Sequence, residues 1–465
     1  MDSKGLTNGE ALFKKTALYG ILNHDDSTWH QYTKVEGLGS YIVLDFGKEM
    51  HGGIRVITNW IYYGNCKIRV RFGESFGEVN SSIGEKNATN AHSPRDFEVI
   101  LPAYADINIG QTGFRFVRID LLEEKYVYFV NIYCENNMFK AKPVYMYNGK
   151  DERVKEIFNV AKRTVDLCAS SGYIWDGIKR DRLLWVGDLA PEIMAISSIY
   201  GRQPVVERSL DLAKKLYPLP IFMNRISSYS AWWIIILAEH YKEFKCDKYI
   251  KKHLKYMAGL MDMFDSIIDE NGELSTQVRH LFDWPTKDTP DEEVGVKLLI
   301  IYGINSAIYL FNEFGLSTEK AEKVKQKFMV KPLNATVKKQ VVAMKYFALG
   351  EISDDEYNML IEGGAKGFST FMSYYILTAI ASRDKALAIK LMKEYYGAMI
   401  DRGATSFWED FNMDWLEGSG RIDELDPTKK DIHGDHGAFC YVGYRHSLCH
   451  GWSAGVAKFI KENCD

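Results

Sequence analysis

The stretch "VYFVNIYCENNMFKAKPVYMYNGKDERVKEIFNVAKRTVDLCAS", residues 127–170, divides the chain in two. Its opening, 127–135, is β-branched and aromatic, as a strand requires. Its end, 151–170, has apolar residues at helical spacing behind Asp151 and Glu152, acids that favour the first turn of a helix. Upstream lie further short runs of strand character, at 41–47, 53–58, 66–73, 95–101 and 113–122, punctuated by Gly, Asn and Asp. Strands at this spacing predict an antiparallel β-sandwich over residues 1–145. Downstream, helical spacing recurs near 190–200, 204–216, 229–242, 248–268, 292–313, 317–329, 335–348, 353–363, 370–381, 384–398 and 451–462. With 151–170 that is about a dozen helices over 146–465, almost without strands between them. They can pair as six antiparallel hairpins, an (α/α)6 barrel, or form an irregular bundle.

A chain of 465 residues exceeds one ordinary core, in keeping with two domains. A net charge of −4 gives no reason to expect nucleic acid or an anionic membrane as partner. The seven cysteines are odd in number, scattered and without CxxC spacing, which indicates neither a disulfide framework nor a zinc site. "MDSKGLTNGEALFKKTALYG" has no sustained apolar segment, so no signal peptide is predicted. No run of about 18 apolar residues is evident, so no membrane span is predicted. The expectation is a cytoplasmic protein. Aromatic residues reach 13%, and flat rings with polar tips suit sugar faces, although large cores use them too.

The longer gaps between helices carry the chemistry: 171–189, 280–292, 403–420 and 431–452. The first holds Asp176, Arg180, Asp181, Arg182 and Asp188 with Trp175 and Trp185. The third holds Glu409, Asp410 and Asp414 beside Trp408 and Trp415. Two carboxyl groups in distinct environments across a pocket are what glycosidic cleavage needs, one protonated and one ionised. Clusters of Asp and Arg also serve as salt-bridge networks. "DIHGDH" offers Asp431, His433, Asp435 and His436, followed by His446 and His450, but no recognised metal spacing is completed, and no metal or cofactor is predicted. His450 reads as a substrate contact or as a core histidine. Signatures of a Ser or Cys nucleophile and of a phosphate loop are absent from the sequence.

"DGIKRDRLLWVGD" (176–188) resembles the signature of the family 78 glycoside hydrolases, the bacterial α-L-rhamnosidases, commonly D-C-P-x-R-E-x-x-G-W-x-G-D. Asp176, Arg180, Asp181, Trp185, Gly187 and Asp188 fall in register. "FWEDF", "FDWP", "SLCHGW" and "GFRFVRIDL" resemble further segments of the family, in order along roughly 40–465. The resemblance implies a β-sandwich followed by an (α/α)6 barrel and inverting hydrolysis of terminal α-L-rhamnosides without metal or organic cofactor. It puts Asp181 at the general acid and Glu409 at the general base. Asp176, Arg180 and Asp188 would hold the sugar hydroxyls and the catalytic geometry, while Trp185, Trp232, Trp284, Trp408 and His450 would shape the pocket. The sequence departs from the pattern at Asp181, where Glu is usual, at Gly177-Ile178 for Cys-Pro, and at Leu184 for a small residue. The resemblance also implies a minimal form without the family's C-terminal β-domain. The expected partner is a small carbohydrate, with a homodimer left open. The alternatives are another glycosidase on the same barrel and a catalytically silent sugar-binding protein.

Overall fold

The computed structural model describes residues 2–13 and 32–464; of the N-terminal stretch in which no signal peptide is expected, Met1 and residues 14–20 lie outside the described part. Eight strands form one antiparallel sheet: β1 (Ser3–Lys4), β2 (Leu6–Thr7), β3 (Thr33–Glu36), β4 (Tyr41–Ile61), β5 (Asn65–Gly73), β6 (Asp96–Pro102), β7 (Asp106–Leu121) and β8 (Tyr126–Asn136). Their order is β2-β3-β8-β4-β7-β5-β6, with β1 alongside β4. The segments expected at 41–47 and 53–58 are one strand. Register shifts between Asp45 and Met50, and between Gly52 and Ile54, bend β4 so that the sheet curls without a break. The enclosed core includes Ile54, Val56, Ile68, Val70, Phe72, Phe114 and Val117.

After β8 come helices, a first short one lying earlier at α1 (Phe76–Asn80). The rest are α2 (Glu152–Cys168), α3 (Leu189–Tyr200), α4 (Pro204–Leu216), α5 (Ser227–Phe244), α6 (Asp247–Lys251), α7 (Leu254–Asp265), α8 (Asp291–Glu313), α9 (Glu319–Phe328), α10 (Lys339–Leu349), α11 (Asp354–Ile361), α12 (Ser373–Ala381), α13 (Lys385–Asp401) and α14 (Val456–Asn463). The single helix expected over 248–268 is two. Lys214 donates to the Lys252 carbonyl, and the buried His253 ring packs edge-on against Trp233 and Tyr249, so packing breaks the helix at 252–253.

Six helices pack in a closed cycle: α3 on α5, α5 on α8, α8 on α10, α10 on α12, α12 on α14 and α14 on α3. Every residue of α3 is buried, whereas α4, α9 and α11 bury one stripe, the pattern of inner and outer helices. Helix α8 is long and apolar enough to cross a membrane, but 72% of its apolar window is buried inside the protein, between α5 and α10. The helical core is distinct from that of the sheet, and Phe139 and Ala141, ahead of residue 146, already pack against it.

Candidate active site

Three extended segments lie side by side at one end of the helical cycle. Gly177 and His450 form an antiparallel bridge, and the Gly451 amide donates to the Asp176 carbonyl at 2.8 Å. The His450 amide donates to the Phe407 carbonyl at 3.0 Å, and the Glu409 amide to the Ser447 carbonyl at 2.9 Å. Sequence positions more than 200 residues apart are thereby laced around one cavity of about 150 Å³. Asp176, Arg180, Asp181, Trp185, Asp188, Trp284, Glu409 and His450 all line it.

Glu409 is 3% exposed. Thr370 Oγ1 and Trp452 Nε1 donate to its carbonyl at 2.6 and 2.8 Å, which fixes the backbone. Arg180 Nη2 lies 2.7 Å from Oε1 and 3.0 Å from Oε2, and the Ser447 amide donates to Oε2 at 3.0 Å. Burial alone would raise the carboxyl pKa, but the Arg180 guanidinium, with smaller contributions from His450 and His446, overrides it and holds Glu409 at about 2. Glu409 is therefore a carboxylate at neutral pH. Arg180 turns toward Glu409 rather than Asp176, and its guanidinium covers the Tyr441 ring at 3.8 Å.

Asp181 sits differently. Its backbone is left-handed, φ 54°, as is that of Arg182, φ 49°. Arg180 Nε is 3.9 Å from Asp181 Oδ2, so a single guanidinium lies between the two carboxyl groups. His92, from the loop before β6, pairs with Asp181 Oδ1.

The other acids are pushed toward their protonated form. Burial raises Asp176 to about 8 although its Oδ1 accepts from the Leu183 amide at 3.0 Å. Asp188, just before α3, is pushed well above the carboxylate range by burial and by neighbouring Asp176 and Glu409. Glu192, one helical turn along α3, is raised by burial, Asp188 and Asp176, and both its oxygens are buried without a hydrogen bond among the described residues. Protonated acids can donate to hydroxyl oxygens of a sugar, which a carboxylate cannot do. His450 stands 3.8 Å from Asp188 and 3.9 Å from Glu409; burial lowers it to about 4, so it is neutral.

Trp185 and Trp284 frame the cavity. Asn224 Oδ1 accepts from the Val186 amide and Nδ2 donates to the Leu184 carbonyl, which fixes Trp185 between them. Gly187 is required because a Cβ there would stand 2.7 Å from the Tyr229 ring. Asp283 caps the turn that begins at Trp284, and Ser369 donates to its other oxygen at 2.5 Å. Trp232 and Trp408 do not line the cavity. Both are fully buried in the helical core, Trp232 against Phe371 and Tyr375, Trp408 against Phe411. Their sites on a core helix and in the inward-facing part of "FWEDF" carry the rings away from the pocket. Tyr229, Arg279, Tyr441 and Trp452 also line it. Tyr441 and Trp452 belong to the 431–452 stretch, but nothing in the sequence marks Tyr229 or Arg279.

The acids and histidines of "DIHGDH" scatter. Asp435 pairs with Lys86 at 2.7 Å, Tyr444 donates to Asp431, and His436 stacks on Trp415. Only His433 joins a group with the spacing of cation ligands among the described residues, with Glu74 and Glu78. Lys179 Nζ lies 2.9 Å from Glu78 and 3.4 Å from Glu74, so an ammonium already supplies the positive charge there. Ser447 Oγ donates to Glu74 at 3.1 Å, which ties the segment beneath Glu409 to the end of β5.

No family model matches the sequence, and no curated protein matches it. Solved structures do. A rhamnosidase from Klebsiella oxytoca with rhamnose bound superposes with a TM-score of 0.74 at 18% identity, over 99% of this chain and 93% of that one. A family 78 rhamnosidase of Bacillus sp. GL1 gives 0.70 at 18% identity, over 90% of this chain and 46% of that one. An α-L-rhamnosidase of Streptomyces avermitilis complexed with L-rhamnose gives 0.62 at 13%, over 92% and 43%. This chain thus spans nearly the whole Klebsiella protein and less than half of the other two. The chain has the fold of the family 78 α-L-rhamnosidases.

Proposed function

We propose that the protein is an α-L-rhamnosidase that hydrolyses terminal α-L-rhamnosides with inversion, Asp181 as general acid and Glu409 as general base. The observation that carries this is a buried Glu409 kept ionised by Arg180, facing into the same cavity as Asp181. An ionised carboxylate can accept the proton of an attacking water, which adds to the anomeric carbon while the glycosidic oxygen takes a proton from the opposite side. Arg180 contacts both carboxyl groups, so their separation spans no more than one guanidinium and its two contacts, in keeping with the roughly 6.5–9.5 Å that inversion uses. Protonated Asp176 and Asp188 with neutral His450 give the pocket donors for vicinal hydroxyls, and Trp185 and Trp284 give it apolar walls. The helix cycle supports an (α/α)6 barrel at 146–465, and the curled eight-stranded sheet supports a sandwich-like β domain at 1–145. All seven cysteines are free, which supports a reducing, cytoplasmic setting.

A panel of nitrophenyl glycosides tests the specificity, with the α-L-rhamnoside expected to be cleaved fastest. Proton NMR of the fresh product should show β-L-rhamnose before mutarotation; the α anomer would rule out inversion. One observation favours a silent sugar-binding protein: Arg180 engages both oxygens of Glu409. Such a protein would bind rhamnose by calorimetry and hydrolyse none of the panel.

A further inference from the structure

Asp181 is the short member of the proposed catalytic pair, and the loop before β6 brings a histidine to it. His92 Nδ1 lies against Asp181 Oδ1, a buried oxygen that makes no hydrogen bond among the described residues. The contact is built from both sides. The Gln111 carbonyl on β7 accepts from Ser93 Oγ at 3.4 Å and from Arg182 Nη1 at 3.2 Å, so the neighbours of His92 and of Asp181 share one anchor. One residue on, Thr112 Oγ1 donates to the Lys179 carbonyl at 2.8 Å. At Gly113 the strand comes so close that a Cβ would stand 2.9 Å from the Lys179 nitrogen. His92 (φ 69°) and Asp181 (φ 54°) both hold left-handed backbones, which cost non-glycine residues energy and persist where surroundings impose them.

We propose that His92 of the β-sheet region supplies the proton that Asp181 delivers to the leaving oxygen, so that the acid of this site is a His92–Asp181 pair. The inference rests on the rhamnosidase reading above. As the glycosidic C–O bond breaks, the proton on Asp181 passes to the departing oxygen, and the imidazolium proton of His92 passes to the Asp181 carboxylate. The alcohol leaves neutral and His92 ends neutral. The proton of the attacking water goes to Glu409; solvent then takes that proton from Glu409 and returns one to His92, whose side chain is 48% exposed. Two cations flank the pair. Arg180 Nε lies 3.9 Å from Asp181 Oδ2, and Arg182 is turned to Gln111. Neither guanidinium gives up a proton in this pH range, which leaves His92 as the partner that can release one. His92 acts through Asp181 and is a positioning and proton-supplying residue rather than one that touches the sugar.

The test compares leaving groups, because an acid matters only for a departing oxygen that is a poor anion. His92→Ala is expected to lower kcat/KM about 100-fold on methyl α-L-rhamnoside and no more than about 3-fold on the 2,4-dinitrophenyl rhamnoside. His92→Asn, which keeps a donor near the position of Nδ1 but has no transferable proton, should show the same split. Equal losses on both substrates would overturn the pair and leave His92 a structural residue. Full recovery of methyl rhamnoside hydrolysis by His92→Asn would overturn proton supply as well. A wild-type protein inactive on both substrates overturns the rhamnosidase reading and the pair with it; wild-type activity with equal losses in the variants overturns the pair alone.

Discussion

Glu409 and Asp181 face one cavity but are held in opposite ways. Glu409 lies in an extended segment laced on one side to 447–450, its carbonyl taken by Thr370 and Trp452, its carboxylate by Arg180 and Ser447. Asp181 lies on a left-handed turn, and its contacts are His92 and the flank of Arg180. The proposed base is held in a single charge state, whereas the proposed acid lies against a histidine that is open to solvent. A base must already be ionised when substrate arrives, and an acid must be reloaded every turnover, so rigidity suits the first and access to solvent the second.

The comparison breaks first at Glu409. Glu409→Gln should lower kcat by about 1,000-fold on good and poor leaving groups alike, because water activation is needed for both. A wild-type rate on either rhamnoside would remove Glu409 from the mechanism. Arg180→Lys should have an intermediate effect, about 10-fold at pH 7, since one ammonium cannot contact Glu409 and stand beside Asp181 at once as the guanidinium does. Loss of that contact lets the Glu409 pKa climb from about 2 toward the ordinary ~4.3, so the acidic limb of the kcat/KM profile should move to higher pH. An unmoved limb would mean that Arg180 does not set the charge of the base.

The smallest effect concerns stability. Asp176 is raised to about 8 in the folded protein, against an unfolded value of ~3.9. Between these values the folded chain keeps a proton that the unfolded chain has shed, so the stability due to this group falls as pH rises through the window. Asp176→Asn needs no proton, and its Tm relative to wild type should increase by about 2 °C between pH 5 and pH 8. A constant difference would show that Asp176 ionises normally in the pocket.

Much of this was legible in the sequence because it is local. The switch of periodicity near 146, the helix at 204–216, and the spacing of Asp176, Arg180, Trp185 and Asp188 depend on near neighbours. Contacts across the chain were not legible. Whether Trp232 and Trp408 face sugar or core is decided by the packing of distant helices, and composition favoured both outcomes. Glu74 reaches Ser447 over 373 residues, and nothing in "FGESFGEV" marks it for that part. His92 stands in a polar turn with no motif, and only the course of β7 brings it to Asp181. In sequence β4 looks like two strands, 41–47 and 53–58; the positive φ values of Gly47 and Gly52 permit bends within one strand.

The grip of β7 on residues 179–182, through Gln111 and Thr112, has a consequence for anyone who would engineer this scaffold. The point where strands give way to helices is a boundary of folding periodicity, not of catalysis. A chimera joined there would keep Glu409 in place and leave Asp181 misaligned, so the portable unit runs from the β5–β7 turns through the last helix.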